Sequence, residues 1–157
     1  MPTIDDVSSY LAPLGLEVMQ FAEPTPTAEA AAAAVGCTVA EIAKSILLLV
    51  GRQPVLVVTC GDVKVKSSKL KQAAGLTGKV SFPGPDEVIR YTGYAPGGVC
   101  PFLLPPGLPV LLDASLERFA VTYPAAGDDH SAVAVDFFRL AALTGGRAVE
   151  VCDPIAG

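Results

Sequence analysis

Apolar residues recur at Ile4, Val7, Leu11 and Leu14, spaced three or four apart, and Gly15 follows as a stop, which predicts a helix over 3–14. Leu16 to Phe21 alternates loosely and reads as a first strand. Pro24-Thr25-Pro26 forces a turn, after which Thr27 can cap a helix through Val35 that Gly36 closes. The alanine run Ala30–Ala34 has no bulk to crowd a neighbour and suits close packing on a sheet. Thr38-Val39-Ala40-Glu41 has capping-box spacing, so a short helix is expected to end near Ala43. The apolar run Ile46–Val50 after Lys44-Ser45 is too short for a helix of usual length and predicts a buried central strand. Gly51-Arg52-Gln53-Pro54 links it to Val55–Thr59, its expected hairpin partner.

Cys60-Gly61-Asp62 turns the chain into Val63–Lys66, which alternates like a half-exposed strand, and Ser67 is placed to cap a helix through Ala74 that Gly75 stops. Lys79–Phe82 reads as a short strand and Pro85 as the start of a helix ending before Gly93. Leu108–Leu112 is a further strand. Phe119–Tyr123 and Ser131–Val135 form an expected late hairpin across Gly127–His130. Asp136 caps a helix to Leu143, Gly145-Gly146 ends it, and Arg147–Val151 is the final strand. No repeat or linker interrupts this succession, so residues 1–157 read as a single domain. Its class is α+β, with a mixed, barrel-like sheet and surrounding short helices.

Composition narrows the function classes. The chain is 51% hydrophobic and 17% charged, which excludes disorder as its main state. No apolar run approaches the ~20 residues that span a bilayer, so no membrane partner is expected. Met1–Asp6 has no basic residue and leads into no signal-like core, which points to the cytoplasm. Cys37, Cys60, Cys100 and Cys152 are scattered without paired spacing and the one histidine is His130, so neither a metal nor another cofactor is expected. A net charge of −5 argues against a general DNA or RNA binder but leaves room for a local basic patch.

Two stretches carry candidate chemistry. Lys44 stands alone at the entrance of the central strand; a lysine snorkelling from the core edge is the plain alternative. In Gly93-Tyr94-Ala95-Pro96-Gly97-Gly98-Val99-Cys100-Pro101-Phe102, adjacent glycines permit close backbone approach and Pro101 restricts Cys100 to extended geometry. Such a loop can turn N–H groups toward an oxyanion, although ordinary tight turns use the same residues. Lys64, Lys66, Lys69 and Lys71 gather four of the eleven basic residues, as a phosphate-binding patch or as a solvated face.

Ala40-Glu41-Ile42-Ala43-Lys44-Ser45-Ile46-Leu47, then Gly93-Tyr94 with Gly97–Phe102, then Val110-Leu111-Leu112-Asp113-Ala114-Ser115-Leu116 occur in that order. Together they resemble the YbaK/prolyl-tRNA synthetase editing-domain family, over almost the whole chain. That resemblance implies a trans-editing aminoacyl-tRNA deacylase, a hydrolase that cleaves the ester of a tRNA mischarged with a small amino acid, such as Ala- or Cys-tRNA(Pro). Lys44 and the loop residues Gly97, Gly98 and Pro101 take the implied catalytic roles. Ser45, Phe21, Val99, Cys100 and Asp113 are the candidate substrate-binding residues beside them. For such a substrate the clustered Lys64, Lys66, Lys69 and Lys71 are the candidate tRNA-binding patch. The implied partners are the aminoacylated 3′ end of tRNA and prolyl-tRNA synthetase or another synthetase. A non-catalytic module that binds aminoacyl-tRNA or a synthetase is the alternative.

No Ser-His-Asp arrangement is implied, since His130 falls on a predicted hairpin tip. Cys100 stands where relatives often carry serine, and one loop cysteine without a nearby histidine is poor support for a nucleophile. The loop Gly127-Asp128-Asp129-His130 is acidic where many relatives are basic or glycine-rich, and Ala132–Val135 is wholly apolar where some place a polar residue. Asp113 matches the family pattern, although an aspartate closing a strand more often fixes a turn.

Overall fold

The computed structural model describes residues 1–155. Helix α1 spans Ile4–Leu11 and is closed at its start by a reciprocal capping box between Thr3 and Asp6. A 3-10 turn over Ala12–Leu14 ends at Gly15 in the left-handed region. Strand β1 (Val18–Gln20) leads to α2 (Ala28–Val35), whose first turn is capped by the Thr27 hydroxyl.

The capping box at Thr38 and Glu41 is present, but it opens only one 3-10 turn, Val39–Glu41. Strand β2 then runs from Ile42 to Val50. Lys44 is therefore the third residue of a strand and not the hinge between helix and strand that its sequence context suggests. The apolar pair Ile42-Ala43 is drawn into the sheet because it finds partners on both sides, Cys60 across from Ala43 and Tyr123-Pro124 alongside.

Strand β3 (Gln53–Cys60) returns antiparallel to β2, and Gly51 and Arg52 both take positive φ in the tight connection, as a two-residue hairpin turn requires. Next come β4 (Val63–Val65), α3 (Ser67–Ala74), β5 (Val80–Ser81) and α4 (Pro85–Thr92). Ser67 is the first helical residue of α3 and Lys66 holds the N-cap, so the expected serine cap does not form. The chain continues through β6 (Val110–Asp113), a 3-10 turn at Ala114–Arg118, β7 (Tyr123–Pro124), β8 (Ser131–Val133) and α5 (Phe137–Thr144). It ends in β9 (Arg147–Val149) and β10 (Cys152–Pro154).

The main sheet has the order β5-β2-β3-β6-β9, with β7 added parallel to the start of β2. Antiparallel and parallel pairs are mixed, and two small pairs, β1 with β8 and β4 with β10, lie outside it. The class is α+β, as the pattern predicts. The barrel-like expectation is corrected: among the described residues the strand order runs open from β5 to β9 and does not close. The heart of the sheet is β2 and β3, where Leu47–Val50 and Val55–Val58 are buried on both faces. That double burial explains why both strands read as unbroken apolar runs. Complete burial of one such residue, Leu56, contributes roughly 1.5–3 kcal/mol.

Two further expectations change. The late hairpin does not form as a ladder: β8 pairs with the distant β1, β7 pairs with β2, and a single Thr122–Val135 bridge remains between the two segments. The final strand is two strands: β9 joins β6, and β10 crosses to β4.

Candidate active site

Alternate residues of a strand share a face, so Ile42, Lys44, Ile46 and Leu48 project to one side of β2. Tyr123 stands beside Ile42 in the parallel pair with β7 and extends that side. Against it lies a cleft of about 240 Å³ whose walls include Lys44, Ser45, Gly97, Val99, Asp128 and Asp129. The chain from Thr25 into the start of α2 forms the opposite rim.

The Lys44 ammonium donates to the Val63 carbonyl at 3.2 Å, its one protein hydrogen bond among the described residues. An ammonium has three donors, so two remain available. The Ser45 hydroxyl is buried without a partner among the described residues. A buried hydroxyl left unpaired costs about 1–3 kcal/mol, so a polar atom of a ligand there would be well received.

The glycine loop is fixed from within the protein. Tyr94 is buried and its hydroxyl donates to the Phe102 carbonyl, which ties the two ends of the loop together. Gly98 N–H closes a turn on the Ala95 carbonyl at 2.9 Å. The N–H groups of Gly97 and Val99 meet no protein acceptor among the described residues, and both residues line the cleft. A Cβ at Gly98 would stand 3.1 Å from the Asp128 Cα and 3.2 Å from the Gly127 carbonyl oxygen, so glycine is what allows the loop to lie against the acidic one.

The acidic loop is anchored by its neighbours. Phe21 N–H donates to the His130 carbonyl at 2.8 Å, and Thr25 donates to the Asp129 carbonyl through its N–H at 2.7 Å and its hydroxyl at 3.1 Å. His130 stands between two carboxylates, Nδ1 2.8 Å from Asp129 and Nε2 3.3 Å from Asp128. The Asp129 hydrogen bond, followed by the charge of Asp128, raises the imidazole above its ordinary value.

The cleft thus brings together Lys44, Ser45, Gly97 and Val99. Gly98 and Pro101 are buried and do not form its wall. Cys100 is fully buried with its thiol directed to the Phe102 carbonyl, and burial pushes that thiol up to about 11. Phe21 contributes its backbone to the acidic loop and is not among the lining residues. Asp113 is buried elsewhere, accepting from Ser115 N–H at 3.0 Å and Val151 N–H at 2.9 Å, so its carboxylate closes β6 and holds the chain ahead of β10. Of the lysines, Lys66 and Lys69 both pair with Asp153, at 3.6 and 2.7 Å. Lys64 and Lys71 make no ion pair among the described residues.

Sequence reasoning passed over Thr25, Tyr123 and the two aspartates as cleft residues. The Pro24–Pro26 turn and the acidic loop were visible as features, but their meeting depends on the pairing of β1 with β8.

The sequence profile of the aminoacyl-tRNA editing domain matches residues 22–143, and the chain belongs to that family. It is 39% identical over 118 residues to the uncharacterized protein YwhH of Bacillus subtilis (strain 168), covering 74% of each chain. A crystal structure of a protein proposed as a trans-editing enzyme for prolyl-tRNA synthetase superposes with a TM-score of 0.86 at 29% identity, over 98% of both chains. The hypothetical protein APE2540 gives a TM-score of 0.83 at 27% identity, over 94% of this chain and 99% of that one.

Proposed function

We propose that residues 1–157 act as an aminoacyl-tRNA deacylase that removes a small mischarged residue, such as alanine or cysteine, from the 3′ end of a tRNA. The observation that carries this reading is that Lys44, whose ammonium makes one protein hydrogen bond, lines the same cleft as Gly97 and Val99, whose N–H groups meet no protein acceptor among the described residues, in a chain of the editing family.

An aminoacyl ester is already activated, so no strong nucleophile is required. Water adds to the ester carbonyl carbon, the C–O bond to the ribose breaks, and the ribose oxygen leaves with a proton. The products are a free amino acid and an uncharged tRNA. The Gly97 and Val99 N–H groups meet the negative charge that develops on the carbonyl oxygen, and they are held in place before the reaction begins. Lys44 acts as a point charge on the ester or the terminal phosphate. Gly98 and Pro101 act from behind by fixing the loop. Asp128 and Asp129 offer negative charge to the α-ammonium of the aminoacyl group, and the 240 Å³ cleft suits a short side chain. Prolyl-tRNA synthetase or another synthetase would supply the mischarged tRNA, which places the reaction in the cytoplasm.

The test is incubation of the purified protein with a panel of mischarged tRNAs. The expected result is faster hydrolysis of at least one small-residue ester than in buffer, with large residues spared. A protein that retains tRNA while every ester decays at the buffer rate would be a binding module instead.

A further inference from the structure

Lys44 lines two cavities. Besides the cleft it borders a groove of about 220 Å³ that continues along the same side of β2, past Ile46 and Leu48. Val65 and Val80 complete an apolar floor, and Phe82 stands at its edge with 79% of its surface exposed. An aromatic ring so exposed, next to an apolar floor, contributes little to the core and leaves a flat face free. The charged residues lining the groove are Lys44 and Lys64, and no carboxylate lines it among the described residues. In a chain of net charge −5 that local balance is the reverse of the whole.

We propose that this groove holds the terminal nucleoside of the RNA strand whose aminoacyl group lies in the cleft, the adenine stacked on Phe82 and the adjoining phosphate on Lys64. This rests on the deacylase reading. An exposed aromatic ring beside cations is how proteins hold unpaired bases without reading sequence. Continuity adds to it: an ester joins the amino acid to the terminal ribose, so the two sites must adjoin, and here they adjoin at Lys44. The lysine then stands at the scissile bond, between the aminoacyl group in the cleft and the nucleoside in the groove.

Phe82→Trp places a fluorophore at this position in a chain that has no tryptophan. Adenosine 5′-monophosphate is expected to quench its emission saturably, ribose 5-phosphate is expected to leave it unchanged, and adding Lys64→Glu should raise the half-saturating nucleotide concentration several-fold. Absence of quenching by the nucleotide, or equal quenching by the base-free sugar phosphate, would overturn the proposal. In deacylation of mischarged tRNA, Phe82→Ala should lower kcat/KM by about 5- to 150-fold, the range for losing one stacked base. Phe82→Trp should keep it within about 2-fold of the native value, since a larger ring still stacks. Equal activity in both variants, or equal loss in both, would also overturn it. If the native protein cleaves no ester, the deacylase reading fails and the fluorescence titration alone decides the groove.

Discussion

Tyr94 carries its phenol into the protein interior, where the hydroxyl has the Phe102 carbonyl as acceptor. Burial, with the Cys100 sulfur close by, moves that phenol far above its ordinary value, so it stays a neutral donor. Tyr94→Phe keeps the ring and removes the stronger donor, leaving the buried Phe102 carbonyl with only the weak Cys100 thiol at the end of the glycine loop. The expected cost is about 1–3 kcal/mol of unfolding free energy, together with reduced deacylation from a looser loop. Urea denaturation checks it, and an unchanged midpoint would show that the carbonyl finds another partner. Cys100 belongs to the same cluster. The sequence marks it as a tempting loop thiol, yet the fold makes it a small core residue, and a thiol pushed up to about 11 is protonated at neutral pH.

At the scale of elements, the cleft depends on two loops held face to face. The acidic loop carries its own titrating group, because His130 stands between Asp128 and Asp129. A raised imidazole contributes stability that is complete below the unfolded value, near pH 6.5, and is lost as pH rises through the higher folded value. Native protein should therefore exceed His130→Gln in stability by more at about pH 6 than at about pH 9. Denaturation at the two pH values measures the gap, and a gap that widens with pH contradicts the bridge.

The helices and the β2–β3 hairpin were legible because their signals are local: Thr27 and Asp136 cap, Gly15, Gly36 and Gly145 stop, and two apolar runs flank a tight turn. The pairing of β1 with β8 was not, because it joins residues more than a hundred positions apart and Ser131–Val135 satisfies a hairpin pattern equally well. The candidate site divides in the same way. Lys44 and the glycine loop announce themselves by residue type, whereas the rim at Thr25 exists only once that distant pair has formed.

For the whole molecule, a net charge of −5 sets the average surface against phosphate. The lysine run looks like four cations in sequence, but Asp153 occupies two of them, and Lys64 and Lys71 carry what remains. Binding of free tRNA should be weak and salt-sensitive. Lys64→Glu should flatten the plot of log affinity against log salt by about 0.7–0.9 of a unit, whereas Lys66→Glu should have a smaller effect. Filter binding across a salt series measures both slopes. Equal changes for the two variants would mean that the ion pairs with Asp153 open freely.

The proposed function makes the cleft at Lys44 the place where the aminoacyl ester is hydrolysed. Lys44 is half-buried, with one protein hydrogen bond, so Lys44→Ala should leave the protein folded, with its far-ultraviolet circular dichroism and unfolding midpoint close to native. Single-turnover deacylation of the best mischarged tRNA, native against Lys44→Ala at saturating enzyme, is the most direct measurement. A loss of about 100-fold or more in a folded variant is the predicted result, within the range reported for removing one preorganised group that stabilises transition-state charge. A folded variant that cleaves the ester at the native rate would contradict the account.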